Sequence, residues 1–163
     1  MTETTNPVAP TGRASPFPWP PALFLAAIAA GLLASRLLPL PWPGLDDFPA
    51  HAIGLGFGAI GLVLIVLGIK ALIAHGTTVR PDKTSTTLVT DGPYAWSRNP
   101  IYLGQVLLLF AGAEITKSIW YVAAGLAFGV LVTVLQIPPE ERHLEAQFGD
   151  LYLDYKSRTR RWI

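Results

Sequence analysis

Four long runs of apolar residues, almost free of charge, restrict the fold of this 163-residue chain more than any other feature. They occupy residues 22–40, 51–74, 101–115 and 118–137. A helix needs roughly 20 apolar residues to cross a bilayer, and only helices and closed barrels satisfy their backbone hydrogen bonds in lipid. The composition agrees, because 14% of the residues are charged, against about 25% in typical soluble domains. We therefore predict an all-α integral membrane protein with about four transmembrane helices.

The segments around these runs predict a single membrane domain. Residues 1–21 are rich in proline, threonine and alanine, which is typical of a disordered tail, and residues 22–163 form the domain. A signal peptide cut near Ala34 is disfavoured, because the basic segment that begins such peptides is nearly absent. The last two runs are separated by a few residues only, which predicts a tight helical hairpin with Glu114 and Lys117 at its tip.

The sequence changes character after Pro138-Pro139. Apolar side chains recur there at helical spacing among charged residues, which predicts an amphipathic helical segment over residues 139–163, broken near Gly149. Basic residues concentrate in this segment and between the second and third runs. The positive-inside rule therefore places both basic segments, and with them both chain termini, in the cytoplasm.

One apparent motif is explained better by packing than by chemistry. The stretch "GFGAIG", residues 56–61, fits the G-x-G-x-x-G fingerprint of dinucleotide-binding proteins. That fingerprint needs a strand before it and a helix after it, whereas this stretch lies inside an apolar run. We interpret Gly54, Gly58 and Gly61 as small residues that let a neighbouring helix approach closely.

Metal and nucleic-acid functions find no support in the composition. The three histidines, His51, His75 and His143, do not have the spacing of metal ligands, and the chain contains no cysteine. The formal net charge of +1 gives no basic excess of the kind that nucleic acids attract. We expect neither a metal nor a nucleic-acid partner.

Two polar clusters flank the arms of the predicted hairpin. The first is "DGPYAWSRNPIYLG", residues 91–104, and the second is "QIPPEERHL", residues 136–144. Because antiparallel arms joined by a short turn bring these ends together, we expect one pocket formed by Tyr94, Arg98, Asn99, Tyr102, Gln136, Glu140 and Glu141. Aromatic rings and a carboxylate suit a sulfonium or ammonium group, and an arginine suits a carboxylate. S-adenosylmethionine carries all of these groups.

These residues also resemble a known family. "TTLVTDGPYAWSRNPIYLG" followed by "PPEERHLEAQFGDLYLDYKSRTRRW" is similar to the isoprenylcysteine carboxyl methyltransferase and phospholipid methyltransferase superfamily of membrane enzymes, over residues 77–162. The resemblance implies a cofactor pocket for S-adenosylmethionine, open to the cytosol and roofed by the C-terminal segment, with a lipophilic substrate that enters from the bilayer. Carried over by position, the cofactor contacts are Thr86, Thr87, Leu88, Val89, Tyr94, Asn99, Pro100, Ile101, Tyr102 and Glu140.

Two positions depart from the eukaryotic carboxyl methyltransferases. Those enzymes have His where this chain has Asn99, and an asparagine still offers an amide donor and an acceptor. They have a substrate-binding Arg where this chain has Gln136, which cannot supply a charge to a substrate carboxylate. The Arg-Asn-Pro form resembles bacterial members, which implies a bacterial inner membrane. Our catalytic candidates are Arg98, Gln136 and Glu141, with Glu141 as the first candidate base and His143 as the second.

Two other functions are kept open by the sequence. Sterol reductases share the C-terminal architecture and bind a nicotinamide cofactor, although they are longer and have more spans. A non-catalytic small membrane protein would use the same polar residues for packing and surface anchoring only. The methyl acceptor is not identified by the sequence, and an amine, a thiol, a carboxylate or an isoprenoid is compatible with it.

Overall fold

A computed structural model describes residues 19–76 and 87–163, and within these ranges it contains helices and no strand. Three helices are long and apolar enough to cross a membrane, over residues 20–37, 48–74 and 119–148. The full set of elements is α1 (Trp19–Leu37), α2 (Phe48–Ala74), a short 3-10 helix (Gly92–Ala95), α3 (Pro100–Thr116), α4 (Ile119–Leu131), a π-helical turn (Val132–Gln136), α5 (Ile137–Phe148) and α6 (Asp150–Arg158). The all-α membrane fold is thereby confirmed.

The helix ends differ from the sequence prediction by a few residues, for local reasons. Helix α1 begins at Trp19 instead of residue 22, because Pro20 and Pro21 fit the first turn of a helix, where no backbone N–H is needed. Helix α2 begins at Phe48, since the Asp47 side chain accepts a hydrogen bond from the backbone N of Ala50 at 3.0 Å. The tail predicted to be disordered lies outside the described residues over 1–18.

The surface of the long helices is apolar. Large side chains such as Leu25, Leu62 and Leu126 are exposed by 65%, 56% and 58%. A soluble protein rarely presents so much contiguous apolar surface to water. At 17 residues, helix α3 is shorter than the three long helices and lies at the lower limit for a span. The bundle is therefore suited to hydrocarbon on its sides.

Helices α2 and α3 are antiparallel and meet along a line of glycines. A Cβ atom added to Gly61 would lie 2.7 Å from the backbone oxygen of Gly104, and one added to Gly58 would lie 3.0 Å from the Cβ of Ala111. Gly54 in turn faces the side chain of Glu114. Gly54, Gly58 and Gly61 thus form a helix-packing face of α2, and the packing interpretation is confirmed.

The predicted hairpin joins α3 to α4. Lys117 adopts a left-handed conformation (φ 51°) that ends α3, and Ser118 then caps the N-terminus of α4. Glu114 and Lys117 form an ion pair at this tip. On its other side α4 packs against α1, where the rings of Phe24 and Phe128 lie 5.7 Å apart. The helices therefore follow the order α2, α3, α4, α1 across the bundle.

The fourth helix does not end at residue 137, where the fourth apolar run ends, although a proline pair follows. Instead the chain continues as a helix from Ile119 to Phe148, with a π turn over Val132–Gln136. The backbone N–H of Ile137 bonds to the oxygen of Val132, five residues back. This wider turn places Pro138 and Pro139 in the first turn of α5, where their missing N–H groups are tolerated. It also turns Gln136 into the core, where 2% of it is exposed.

The C-terminal segment folds back over one end of the bundle. Helix α5 stops at Gly149, whose φ of 53° suits glycine, so the predicted break is found. Helix α6 follows. Its residues Tyr152 and Tyr155 are buried, with exposed fractions of 1% and 4%. Leu151, one of the apolar side chains that recur at helical spacing in this segment, is instead exposed by 71%.

Candidate functional site

The last residues of the chain, 159–163, form a strap that we call the C-terminal strap. It runs beside the segment before α3, where Ser97 and Arg160 form an isolated parallel bridge. The backbone N of Arg98 donates to the oxygen of Arg160 at 2.9 Å, and Nδ2 of Asn99 donates to the oxygen of Arg161 at 2.9 Å. The first polar cluster of the sequence is therefore tied directly to the chain end.

The Arg98 side chain binds the C-terminal strap and the end of α6. Its Nη1 donates to the backbone oxygens of Lys156 at 2.9 Å and Thr159 at 2.7 Å, and its Nη2 donates to Oε1 of Glu141 at 3.0 Å. The carbonyls belong to the C-terminal end of α6 and the residue after it, where a cation is favourable. Both Nη atoms, which we expected to meet a ligand carboxylate, are thus bound to the chain itself, and Nε is buried without a partner in the described residues.

Glu141 joins two guanidinium groups. Arg161 donates to it through Nε (3.1 Å to Oε1) and Nη2 (2.7 Å to Oε2), in the bidentate geometry that is strongest for this pair. The pKa of Arg161 is raised by its hydrogen bond to Glu141. Only 8% of Glu141 is exposed. The residue is a buried anchor for the C-terminal strap.

Glu140, one position earlier, points to a different set of partners. The hydroxyl of Tyr102 and Nε2 of Gln136 both donate to its Oε1, each at 2.7 Å. Helix α3 contributes the tyrosine, the π turn contributes the glutamine, and α5 contributes the carboxylate. In the described part of the chain, all these donors are neutral, so the charge of Glu140 has no cationic partner.

Tyr94 and Tyr155 complete the aromatic side of this cluster. The hydroxyl of Tyr155 donates to the backbone oxygen of Tyr94 at 2.8 Å. Burial raises the pKa of Tyr94, and the nearby Tyr155 and Glu140 raise it further. Burial likewise raises the pKa of Tyr155. Both phenols therefore stay neutral, and Tyr94 lies close enough to Glu140 to be affected by its charge.

Of the residues predicted for the site, Tyr102, Gln136 and Glu140 contact one another, whereas Arg98, Asn99 and Glu141 contact the C-terminal strap. Thr86 lies outside the described residues. Thr87 is exposed, Leu88 is half-buried and Val89 is buried. Pro100 and Ile101 form the first turn of α3, where Ile101 faces Gly68 of α2.

The histidines are separate from one another. His51 and His75 lie near the two ends of α2, and the Nδ1 atom of each is within hydrogen-bond distance of a backbone oxygen four residues earlier. His143 lies on α5, and its Nε2 is buried without a hydrogen-bond partner among the described residues. Over those residues no cluster of three metal-ligating side chains is found.

An apolar groove of about 340 Å³ opens between α3 and α4. It reaches Leu103, which follows Tyr102 in sequence, and Val134, two residues before Gln136. The remaining lining residues are Val106, Gly125, Leu126, Gly129, Val130, Thr133 and Trp162. The hydroxyl of Thr133 donates to the backbone oxygen of Gly129 at 2.6 Å, so the groove presents an apolar surface close to the polar cluster.

Sequence reasoning missed Arg161, Trp162 and Tyr155 as parts of the site. Each lies far along the chain from the first cluster, and their role depends on the C-terminal strap folding back to Ser97. The basic run "RTRRW" was assigned only to membrane orientation. No local pattern in that run distinguishes Arg161, which binds Glu141, from Arg160, which is exposed.

The fold and site define a class of protein, namely a small helical membrane protein with a polar cluster at one end of its bundle and an apolar groove beside it. The sequence profile of the phospholipid methyltransferase family matches residues 49–151. The match covers more than half of the chain and includes α2, α3, α4, α5 and the turn that carries Tyr94. The chain belongs to this family.

Two relatives are similar over shorter ranges. Protein-S-isoprenylcysteine O-methyltransferase of Mus musculus is 32% identical over 120 residues, which cover 62% of this chain and 39% of the mouse protein. An uncharacterized protein of Haemophilus influenzae is 35% identical over 68 residues, which cover 39% of this chain and all of that protein. The chain thus spans about two fifths of the length of the mouse relative. No solved structure matches the chain significantly.

Proposed function

We propose that this chain is an S-adenosylmethionine-dependent membrane methyltransferase that acts on a lipophilic acceptor. The observation that carries the proposal is the position of Glu140, whose carboxylate lacks a cationic partner in the described residues and lies close to an apolar groove. Family membership and the similarity to the mouse methyltransferase support the same reaction class.

The chemistry of the Glu140 cluster fits the cofactor. In the described residues this buried carboxylate accepts only from a phenol and an amide, and a negative charge that is removed from water is costly unless a cation compensates it. S-adenosylmethionine offers two cations, the sulfonium and the ammonium group. Aromatic rings such as Tyr94 and Tyr102 favour such cations as well.

The cofactor contacts that we propose extend along one continuous stretch and then to α5. They are the positions matched by the family resemblance: Thr86, Thr87, Leu88, Val89, Tyr94, Asn99, Pro100, Ile101, Tyr102 and Glu140. The amide of Asn99 already bonds to the C-terminal strap, so we assign it the role of positioning that strap over the pocket.

The reaction would be an in-line displacement in which the acceptor bonds to the methyl carbon as the carbon–sulfur bond breaks. The cofactor supplies an activated methyl group. The chain's own contribution is to hold the acceptor in line, and such positioning can supply roughly 7–11 kcal/mol of the barrier. Tyr102 and Gln136 keep the Glu140 carboxylate at a fixed position, and the groove holds the acceptor's hydrocarbon part.

The proton of an amine or thiol acceptor would need a base. Glu141 is poorly suited to that role, because two guanidinium groups stabilise its ionised form. His143 is better suited, since its Nε2 is buried and has no partner in the described residues. Gln136 holds Glu140, and Arg98 holds the C-terminal strap, so we assign both as positioning residues.

We place the site and both chain ends in the cytoplasm of a bacterial cell, at the inner membrane. The support is the basic content of the segments at the site end, which include Arg98, Lys156 and Arg161, against Asp46, Asp47 and Lys117 at the hairpin end.

The test is calorimetric binding of S-adenosylmethionine and S-adenosylhomocysteine to the detergent-purified protein. We expect binding on the order of micromolar. Glu140→Gln should weaken the binding of S-adenosylmethionine by about tenfold, as the loss of a charge-assisted contact predicts. It should weaken the binding of S-adenosylhomocysteine less, because that compound has no sulfonium. Tyr102→Phe should weaken both.

Glu145→Gln is the matched control, because Glu145 is an exposed carboxylate on the same helix α5. This variant should bind S-adenosylmethionine and S-adenosylhomocysteine with the affinities of the unaltered protein. No binding by protein that is folded and monodisperse would overturn the proposal, and binding of a nicotinamide cofactor instead would favour the reductase alternative.

A further inference from the structure

Trp162 lines the apolar groove from outside the membrane-spanning helices. Over the described residues, the other lining side chains come from α3, α4 and the π turn, whereas Trp162 belongs to the C-terminal strap. Its ring is half-buried and packs against the hydrophobic core of the bundle. A large aromatic side chain therefore closes one part of an otherwise aliphatic groove.

The position of this ring is set by the polar cluster. Arg161, the preceding residue, binds Glu141 through two hydrogen bonds and accepts one from Asn99 at its backbone oxygen. These contacts hold the strap at the end of the groove where Leu103 adjoins Tyr102. Trp162 thus lines the groove from a strap that is bound to the polar cluster.

Two glycines of α4, Gly125 and Gly129, also line the groove. A Cβ atom added to Gly129 would lie 3.7 Å from Cγ2 of Val106, which is an ordinary contact. A Cβ atom added to Gly125 would lie 2.7 Å from Cε1 of Phe110. Position 129 therefore accepts alanine without displacement of its neighbours, and such a change narrows the groove while it leaves Trp162 unaltered.

The size and lining of the groove fit a single hydrocarbon chain. A volume of about 340 Å³ holds on the order of ten heavy atoms at roughly 30 Å³ each. The lining contains no charged side chain among the described residues, so a charged group there would lose its hydration without compensation.

We propose that Trp162 is a specificity-determining residue that limits the width of the acceptor at the site end of this groove. It admits a slim chain of about ten carbons and rejects a bulky ring next to the reacting atom. This inference rests on the proposed function, since it names the shape of the acceptor for that reaction.

The test compares two thiols with the same number of carbons, 1-decanethiol and 1-adamantanethiol, as methyl acceptors for the detergent-purified protein. The unaltered protein should methylate the slim thiol. Trp162→Ala should raise the rate ratio of the bulky thiol to the slim thiol by about tenfold or more, in the range that one misfit group produces in an apolar pocket. Affinity for S-adenosylhomocysteine should stay unchanged. An unchanged ratio would overturn the inference.

A second measurement does not depend on catalysis. A photoreactive decanol that carries a diazirine should label the groove, and unlabelled decanol should compete with it. Adamantanol should compete in Trp162→Ala and not in the unaltered protein. Gly129→Ala, the control, should reduce labelling while it preserves the preference for decanol. Equal competition by both alcohols in the unaltered protein would overturn the role of Trp162, whereas failure of cofactor binding with the alcohol preference intact would count only against the proposed reaction.

Discussion

Glu141 and Arg161 are twenty positions apart in sequence, and they form a bidentate ion pair with Nε–Oε1 and Nη2–Oε2 distances of 3.1 and 2.7 Å. Because Arg98 binds the same carboxylate at 3.0 Å, one side chain of α5 fixes both the segment before α3 and the end of the chain. One buried carboxylate therefore links the C-terminal strap to α5, in addition to the strap's hydrogen bonds with Arg98 and Asn99.

Removal of that carboxylate should destabilise the protein. In Glu141→Ala the Arg98 guanidinium stays buried without its anion, and the breaking of a buried pair in this way costs about 3 kcal/mol. We expect a lower unfolding temperature in detergent. Glu145→Gln removes an ion pair between half-exposed side chains and should cost less than about 1 kcal/mol.

The conservative variant Glu141→Gln separates anchoring from proton transfer. The glutamine keeps the shape of the side chain and one hydrogen-bond acceptor but loses the negative charge, so the unfolding temperature should fall. The variant should still transfer the methyl group to a suitable methyl acceptor. A stable Glu141→Gln protein with no measurable kcat would instead identify Glu141 as the base.

The glycine contact between α2 and α3 should not tolerate a methyl group. A Cβ atom at position 104 would lie 2.5 Å from the backbone oxygen of Gly61 and 2.7 Å from Cγ1 of Ile65, so the helices must separate. Gly104→Ala should cost about 1–3 kcal/mol in the free energy of unfolding, as overpacking usually does.

Gly56→Ala is the matched control on α2, since a Cβ atom there would meet nothing within 4 Å. It should be neutral or stabilise the helix by up to about 1 kcal/mol. Equal losses of stability in the two variants would contradict the packing interpretation.

The C-terminal segment should lose stability in alkali. Burial raises the pKa of Tyr152 to about 12, with a further contribution from the charge of Glu141. A pKa raised in the folded state favours the neutral phenol, so its contribution is complete below the unfolded value near 10 and is lost as the pH rises toward about 12. Unfolding in detergent should therefore become easier above about pH 10.

Tyr152→Phe removes that titration and should give a shallower decline of unfolding temperature with pH. Trp96→Phe replaces an exposed aromatic side chain and should leave the slope as it is. An identical slope in Tyr152→Phe and the unaltered protein would contradict the assignment.

Membrane orientation can be measured by cysteine labelling, because the natural chain has no cysteine. Leu45 lies at the hairpin end and Leu151 at the site end, and both are exposed by 71%. In intact bacterial cells, a membrane-impermeant maleimide should label Leu45→Cys and leave Leu151→Cys unlabelled until the cells are broken. The reverse pattern would place the site outside the cytoplasm.

Much of the fold could be predicted from the sequence, because in lipid a helix satisfies its backbone hydrogen bonds locally. The apolar runs therefore indicated the four main helices, and the short interval between the last two runs indicated the hairpin. The glycines of α2 likewise predicted a close helix contact, since small residues let two helices approach closely wherever they face a neighbour.

The roles of the polar residues were decided by the tertiary structure. Glu140 and Glu141 are adjacent in sequence, and a helix turns them to different sides. The π turn sets that rotation, so that Glu140 meets Tyr102 and Gln136 while Glu141 meets Arg98 and Arg161. Local sequence carries no signal for the return of the strap to Ser97. The apolar runs determined that this protein is a helical membrane protein, and long-range contacts determined which carboxylate faces the candidate site and which one binds the C-terminal strap.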